Sequence, residues 1–248
     1  MDLLLVSRRS RSDPSPPAAA LELARGLAVA GHVVRWICPA AGVPARPESL
    51  PAEVDWLPVA STPPGFGAVQ GRLADIPTEA RMAGAIRDRL PGLVHVLEFG
   101  GDSSVNLPWI AERLGVPAVV NVARAPALCH RGTLVDETGT ACERWLDARR
   151  CTECCLTPFP GGLTPAQAWR ARLRRRLPLP TPYPSDEKFL SRVELVWTGL
   201  QAANLILVPE AEDVAALTSL GLPAARIRVV PRPLDAASLE PLYRAASR

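Results

Sequence analysis

The chain has 248 residues, 48% of them hydrophobic, which is enough to bury a substantial core and too much for a disordered segment. Its 28 basic residues are nearly balanced by 25 acidic ones, so a formal charge of +3 does not mark a nucleic-acid binder and no nucleic-acid partner is expected. No stretch reaches 18 apolar residues, and MDLLLVSRR places arginines after a four-residue apolar run, the reverse of a secretion signal, so a cytoplasmic location is expected.

Leu3 to Val6 reads as a short buried strand, and after a polar loop residues 16–30 have helical composition ending at Gly31, a natural C-cap. Strands are expected over 33–38, 54–59 and 93–97, each bounded by glycine or proline. A helix over 107–114 closes at Gly115, and 117–122 gives a fifth strand. Beyond a cysteine-rich region, 164–177 and 185–203 read as helices, 205–208 as a strand, 210–220 as a helix and 227–230 as a last strand. This alternation implies an α/β fold, a Rossmann-like open parallel sheet with helices on both faces. Ligands in such sheets bind at the carboxyl ends of the strands, so the loops after Val6, Leu97 and Val122 are expected to share one cleft. Residues 1–248 are expected to form a single domain carrying an insert over 129–155.

Five of the six cysteines fall in that insert, at Cys129, Cys142, Cys151, Cys154 and Cys155. A reducing compartment disfavours structural disulfides, and C-x2-C pairs such as Cys151 and Cys154 are the usual knuckle of thiolate metal sites. The metal reading takes Cys129, Cys142, Cys151 and Cys154 as ligands, with Cys155 spare or alternative and His130 able to replace one. Zinc is preferred and an iron–sulfur cluster is the other possibility; four protein ligands leave no open position, so the metal is expected to be structural. The alternative is a set of unpaired core thiols.

Other candidates are less specific. Glu98 ends a strand at the expected cleft, and Gly100 and Gly101 follow it, so this turn reads either as a substrate site built from helix N–H groups or as a helix cap using Asp102 or Ser103. Arg8, Arg9 and Arg11 offer guanidinium forks for a phosphate, or else form a solvated loop. His95 and His32 read as structural. The stretch 169–177 places Trp169, Leu173 and Leu177 on one helical face among arginines, which suits either peripheral contact with the inner face of an anionic membrane or ordinary surface packing.

The string LELARGLAVAGHVVRW, the strand VHVLEF, the run LGVPAVVNV and RIRVVPRPLD, in this order, resemble the N-terminal, acceptor-side half of family 4 retaining glycosyltransferases of the GT-B fold. Cys129-His130-Arg131-Gly132-Thr133-Leu134 resembles the C-x-R-G-x-L string of a subgroup with spaced cysteines. The resemblance implies a sugar-nucleotide donor held mainly by a second Rossmann-like domain with two glutamates eight residues apart, and no glutamate here has such a partner. The chain also departs from the family pattern. The glycine-rich loop after the first strand is Ser7 to Pro14 without glycine, the family's histidine-aspartate pair falls on Ala123 and Arg124, and the linker asparagine-glycine is Arg232-Pro233. Arg124 is carried as a substrate-binding candidate on that alignment, and no catalytic residue is assigned.

The expectation is the acceptor-side half of a split, retaining hexosyltransferase. A separate chain would bring the donor domain, the acceptor would be a sugar or lipid-linked sugar, and no metal would act at the reacting centre. The alternatives are a non-catalytic scaffold derived from such a half and, more distantly, a zinc-bearing nucleic-acid module.

Overall fold

A computed structural model describes residues 1–7, 17–40, 42–61, 73–100, 103–158, 163–174 and 185–247. The short apolar runs fold as strands β1 (Asp2–Val6), β2 (Val33–Ala40), β3 (Asp55–Ala60), β4 (Leu93–Phe99), β5 (Ala118–Val122), β6 (Leu205–Val208) and β7 (Ile227–Val229). They pair in parallel in the order β3-β2-β1-β4-β5-β6-β7, the Rossmann-like sheet the alternation implied.

The expected helices are present as α1 (Ala18–Val29), α3 (Leu107–Arg113), α6 (Pro165–Arg174), α7 (Asp186–Ala202) and α8 (Ala211–Ser219). Two glycines stop helices as their positions suggested. Gly31 and Gly115 adopt φ of +82° and +74°, and the following residues, His32 and Val116, donate back to Leu27 and Ala111. Among the described residues, four α-helices were not expected from the sequence: α2 (Ile76–Asp88), α4 (Arg124–Leu128), α5 (Ala148–Cys155) and α9 (Ala236–Ala246).

Strand side chains alternate between two cores. Leu4, Val6, Val94, Val96, Val120 and Ile206 face one layer, built by α2, α3, α7 and α8 through Met82, Ile86, Leu107, Val196 and Leu217. Leu3, Leu5, Trp36, Val119 and Leu207 face the other, covered by Leu23 and Leu27 of α1 and by Leu239 and Tyr243 of α9. Connections that step from β3 towards β7 lie on the first face, whereas α1, stepping from β1 back to β2, lies on the second, as one constant crossover hand requires. Among the described residues, no connection between strands covers the second face of β4, β5 and β6, and α9 does so.

Buried polar groups hold the layers in register. Arg35 of β2 reaches across to α2, donating to the carbonyls of Ala85 at 2.5 Å and Arg89 at 2.6 Å, and so pins that helix's end to the sheet. At its start, Asp75 accepts from the Thr78 hydroxyl at 2.7 Å while Glu79 accepts from the Asp75 N–H at 3.1 Å, a reciprocal cap.

Helix α7 crosses the sheet so closely that a Cβ on Gly199 would collide with the Val105 carbonyl and touch the Phe99 ring. Gly84, inside α2, has open space around its Cβ position. The two glycines should respond with opposite sign. Gly199→Ala should lower stability by about 1–3 kcal/mol through forced separation of α7, and Gly84→Ala should raise it by up to about 1 kcal/mol through helix propensity, both read from urea midpoints.

Candidate functional site

A cleft of about 410 Å3 opens where the strand order reverses, between β1 and β4, at the carboxyl end of the sheet. Ligands of open α/β sheets bind at such a switch point. Its lining includes Ser7 after β1, Pro17 and Ala20 at the start of α1, Leu97 and Glu98 of β4, and Asn121 of β5. Arg232, Pro233 and Leu234 close it from beyond β7. The first turn of α1 carries no acidic residue and no side-chain cap, so the positive end of its dipole borders the cleft.

A bulge in β4 shapes the floor. Val96 pairs with Val120 and Phe99 with Val122, so Leu97 and Glu98 together stand opposite the single residue Asn121. The extra residue returns Phe99 to the face of Val96, where it is buried, and places both Leu97 and Glu98 at the cleft. Beneath them runs a chain of hydrogen bonds. Asn121 Nδ2 donates to the Leu97 carbonyl at 3.2 Å, which leaves Oδ1 as the acceptor 3.1 Å from His95 Nε2. His95 Nε2 therefore carries the proton, and Nδ1 accepts from the Tyr243 hydroxyl at 2.6 Å. Full burial pushes His95 down from 6.5 to about 4, so the ring is neutral at pH 7.

The sequence-derived candidates separate in space. Glu98 lines the cleft, half-buried. Gly100 sits just past β4 at φ +80°, and α3 begins only at Leu107. Asp102 lies outside the described residues, and Ser103 is not the cap: Asn106 is the N-cap, and Ser104 donates to Glu79 and accepts from the Asn106 N–H. Arg124 is not at the cleft. The chain enters α4 directly after β5, and the Arg124 guanidinium lies 3.4 Å from Asp213 of α8 and over the Trp145 ring, supplying a counter-charge to a carboxylate whose burial raises its pKa. The loop after Val122 thus adds nothing to the lining, and β5 contributes through Asn121 instead. Arg8, Arg9, Arg11 and Gly101 lie outside the described residues. Sequence reasoning missed Asn121, whose only signal is a polar residue within the apolar run of β5.

Cys129, Cys142, Cys151, Cys154, Cys155 and His130 gather at a second, much smaller cavity of about 20 Å3. Cys151, Cys154 and Cys155 come from successive turns of α5, Cys129 follows α4, and Cys142 follows a one-bridge hairpin at Val135 and Ala141. All are free thiols. Among the described residues no group of three or more His, Cys, Asp or Glu side chains lies close enough together to hold a metal ion as it stands. The Cys154 thiol is held below its usual range by the Cys155 S–H and by Arg131, whose Nη1 is 3.2 Å from its sulfur, while burial pushes Cys151 up to about 12.

A family model described as a glycosyl transferase 4-like domain matches residues 16–233. No curated protein matches the chain. Similar solved structures include the UDP-GlcNAc 2-epimerase from Methanocaldococcus jannaschii, at 12% identity and a TM-score of 0.42 over 93% of this chain and 45% of that one. Phytolacca americana UGT2, complexed with UDP-2fluoro-glucose and pterostilbene, gives 15%, 0.43, 95% and 53% in the same order. A UGT transferase from Siraitia grosvenorii in complex with UDP gives 13%, 0.44, 95% and 49%. The chain spans about half the length of each.

The floor of the cleft should be acid-sensitive. An unfolded His95 takes up its proton near 6.5 and the folded one only near 4, so as pH falls across this window the unfolded state binds more protons. His95 then withdraws stability at up to about 1.4 kcal/mol per pH unit. The stability difference between the natural chain and His95→Phe, measured by urea at pH 7, 5.5 and 4.5, should shrink steadily as pH drops.

Proposed function

The chain belongs to the glycosyl transferase 4-like domain family, and from that premise we propose that it is the acceptor-side half of a sugar-nucleotide-dependent, retaining glycosyltransferase. A donor-binding half, outside these 248 residues, completes the enzyme. The observation that carries the reading is the cleft at the strand-order reversal, whose volume of about 410 Å3 falls in the range of small-molecule sites. Its lining combines apolar surface from Ala20, Leu23 and Leu97 with the carboxylate of Glu98 and the amide of Asn121. Such a mixture suits a sugar-bearing acceptor, whose hydroxyls need directed partners and whose ring faces need apolar contact. Glu98 orients an acceptor hydroxyl, and stabilisation of the leaving diphosphate falls to the partner half.

The same reading favours an acceptor presented at a membrane surface. Ala168 and Ala171 of α6 pack inward against Leu156 and Leu163, which leaves Trp169 and Leu173 on the outside, 65% and 50% exposed, with Arg170 and Arg172 exposed beside them. An apolar pair one turn apart with flanking arginines is the composition of an interfacial helix on anionic lipid. Among the described residues no helix is long and apolar enough to cross a membrane.

Two experiments test this. Affinity capture of the tagged chain from its native lysate should recover a second polypeptide in stoichiometric amount, and the complex should transfer sugar from a panel of sugar nucleotides. Glu98→Gln should then lower transfer by roughly tenfold to a hundredfold, the loss of one charge-assisted hydrogen bond, with an unchanged urea midpoint. Absence of a partner and of turnover would leave the non-catalytic scaffold. On anionic vesicles, Trp169→Ala with Leu173→Ala should weaken co-sedimentation about tenfold or more, and equal binding by natural and altered chains would remove the membrane role.

A further inference from the structure

The segment from Cys129 to Asp147 has almost no regular structure of its own: one isolated bridge, Val135 with Ala141, and a turn in which Asp136 accepts from the N–H groups of Thr138 at 2.8 Å and Thr140 at 3.2 Å. Arg150 of α5 ties this turn down through Asp136 at 3.2 Å and Glu137 at 2.7 Å. Two leucines on either side of Cys142, Leu134 and Leu146, are held at φ of +52° and +59°. A branched side chain in that region is strained and persists only where its surroundings impose it. The Cys142 backbone is itself gripped on both sides, its N–H by the Leu134 carbonyl at 2.7 Å and its carbonyl by Trp145 Nε1 at 2.6 Å.

We infer that Cys129, Cys142, Cys151 and Cys154 close on one tetrahedral zinc ion, which locks this segment onto α5. Four arguments meet. The sulfurs come from three separate stretches of chain and line a single cavity. Its volume of about 20 Å3 holds one water-sized body, so the space between these residues is small. Compensating charge is in place, since Arg131 donates to the Cys154 sulfur and Arg192 of α7 lies in Coulombic range of Cys151. The fifth cysteine is accounted for otherwise: Cys155 is buried against Phe189 of α7, as a small core residue. The thiols stand apart as they are placed, so binding draws them together. Four protein ligands leave no open position, so the ion braces the structure and takes no part in transfer.

The test is anaerobic titration of the reduced, metal-stripped 248-residue chain with Co2+ and then Zn2+. One equivalent of Co2+ should give the intense visible bands of a tetrahedral thiolate site, abolished by one equivalent of Zn2+, and Zn2+ should raise the melting temperature. Cys129→Ser, Cys142→Ser, Cys151→Ser and Cys154→Ser should each lose stoichiometric zinc, while Cys155→Ser and Cys38→Ser should keep it. Because the titration on the natural chain needs no variant to fold, the inference stays exposed to failure. Octahedral Co2+ spectra, no zinc retained at equimolar concentration, an iron–sulfur chromophore on anaerobic purification, or retention of zinc by all four serine variants would each overturn it.

Discussion

A parallel sheet has two faces to cover and, with one crossover hand, cannot choose freely which helices cover them. Here the connections running towards β7 take one face, so the far half of the other depends on α9, which follows the last strand of this sheet. Helix α9 meets that need with Leu239 and Tyr243, and the bond from the Tyr243 hydroxyl to His95 fixes where it sits. A buried imidazole without partners would be costly; with Tyr243 on one nitrogen and Asn121 on the other, it becomes the pin joining α9, β4 and β5. The segment from Arg232 to Leu234, which enters α9, is also the segment that walls the cleft, so coverage of the sheet and completion of the site are one requirement.

The cleft and the cysteine cavity are tied to the same strand end. Asn121 lies in the cleft floor, and three residues later Arg124 begins α4, which delivers Cys129 to the second cavity. The ion pair with Asp213 and the stacking on Trp145 hold α4 between α8 and the insert. Arrangement of the insert is thus mechanically continuous with β5, although no insert residue lines the cleft.

Much of the scaffold was legible because parallel strands, buried on both faces, read as plain apolar runs between breakers: Leu3 to Val6 and Leu205 to Val208 needed no further signal. Gly31 and Gly115 marked helix ends for the same local reason. Helix α9 escaped because Pro241 interrupts its pattern, and α5 because its arginines and cysteines hide its periodicity. Helix α2 did announce itself, through Asp75, Pro77 and Glu79, but its polar composition obscured the cap. At the site, Glu98 followed from its place at a strand's carboxyl end, whereas Asn121 signals itself only as a polar residue in an apolar run, and its pairing opposite two residues depends on a bulge in a different strand. Arg124 shows the opposite failure. Counting along a motif located the position, but its partner, Asp213, is far along the chain and decides where the side chain goes.

The hydrogen-bond chain under the cleft also has a direction. Tyr243 donates to His95, His95 to Asn121, and Asn121 to the Leu97 carbonyl, each step fixing the next, so the amide of Asn121 cannot flip without breaking the chain. One of its two amide hydrogens and one of its two oxygen lone pairs are thereby engaged. The buried amide of Asn121 is thus held with its donor and acceptor ends in a fixed order at the floor of the cleft.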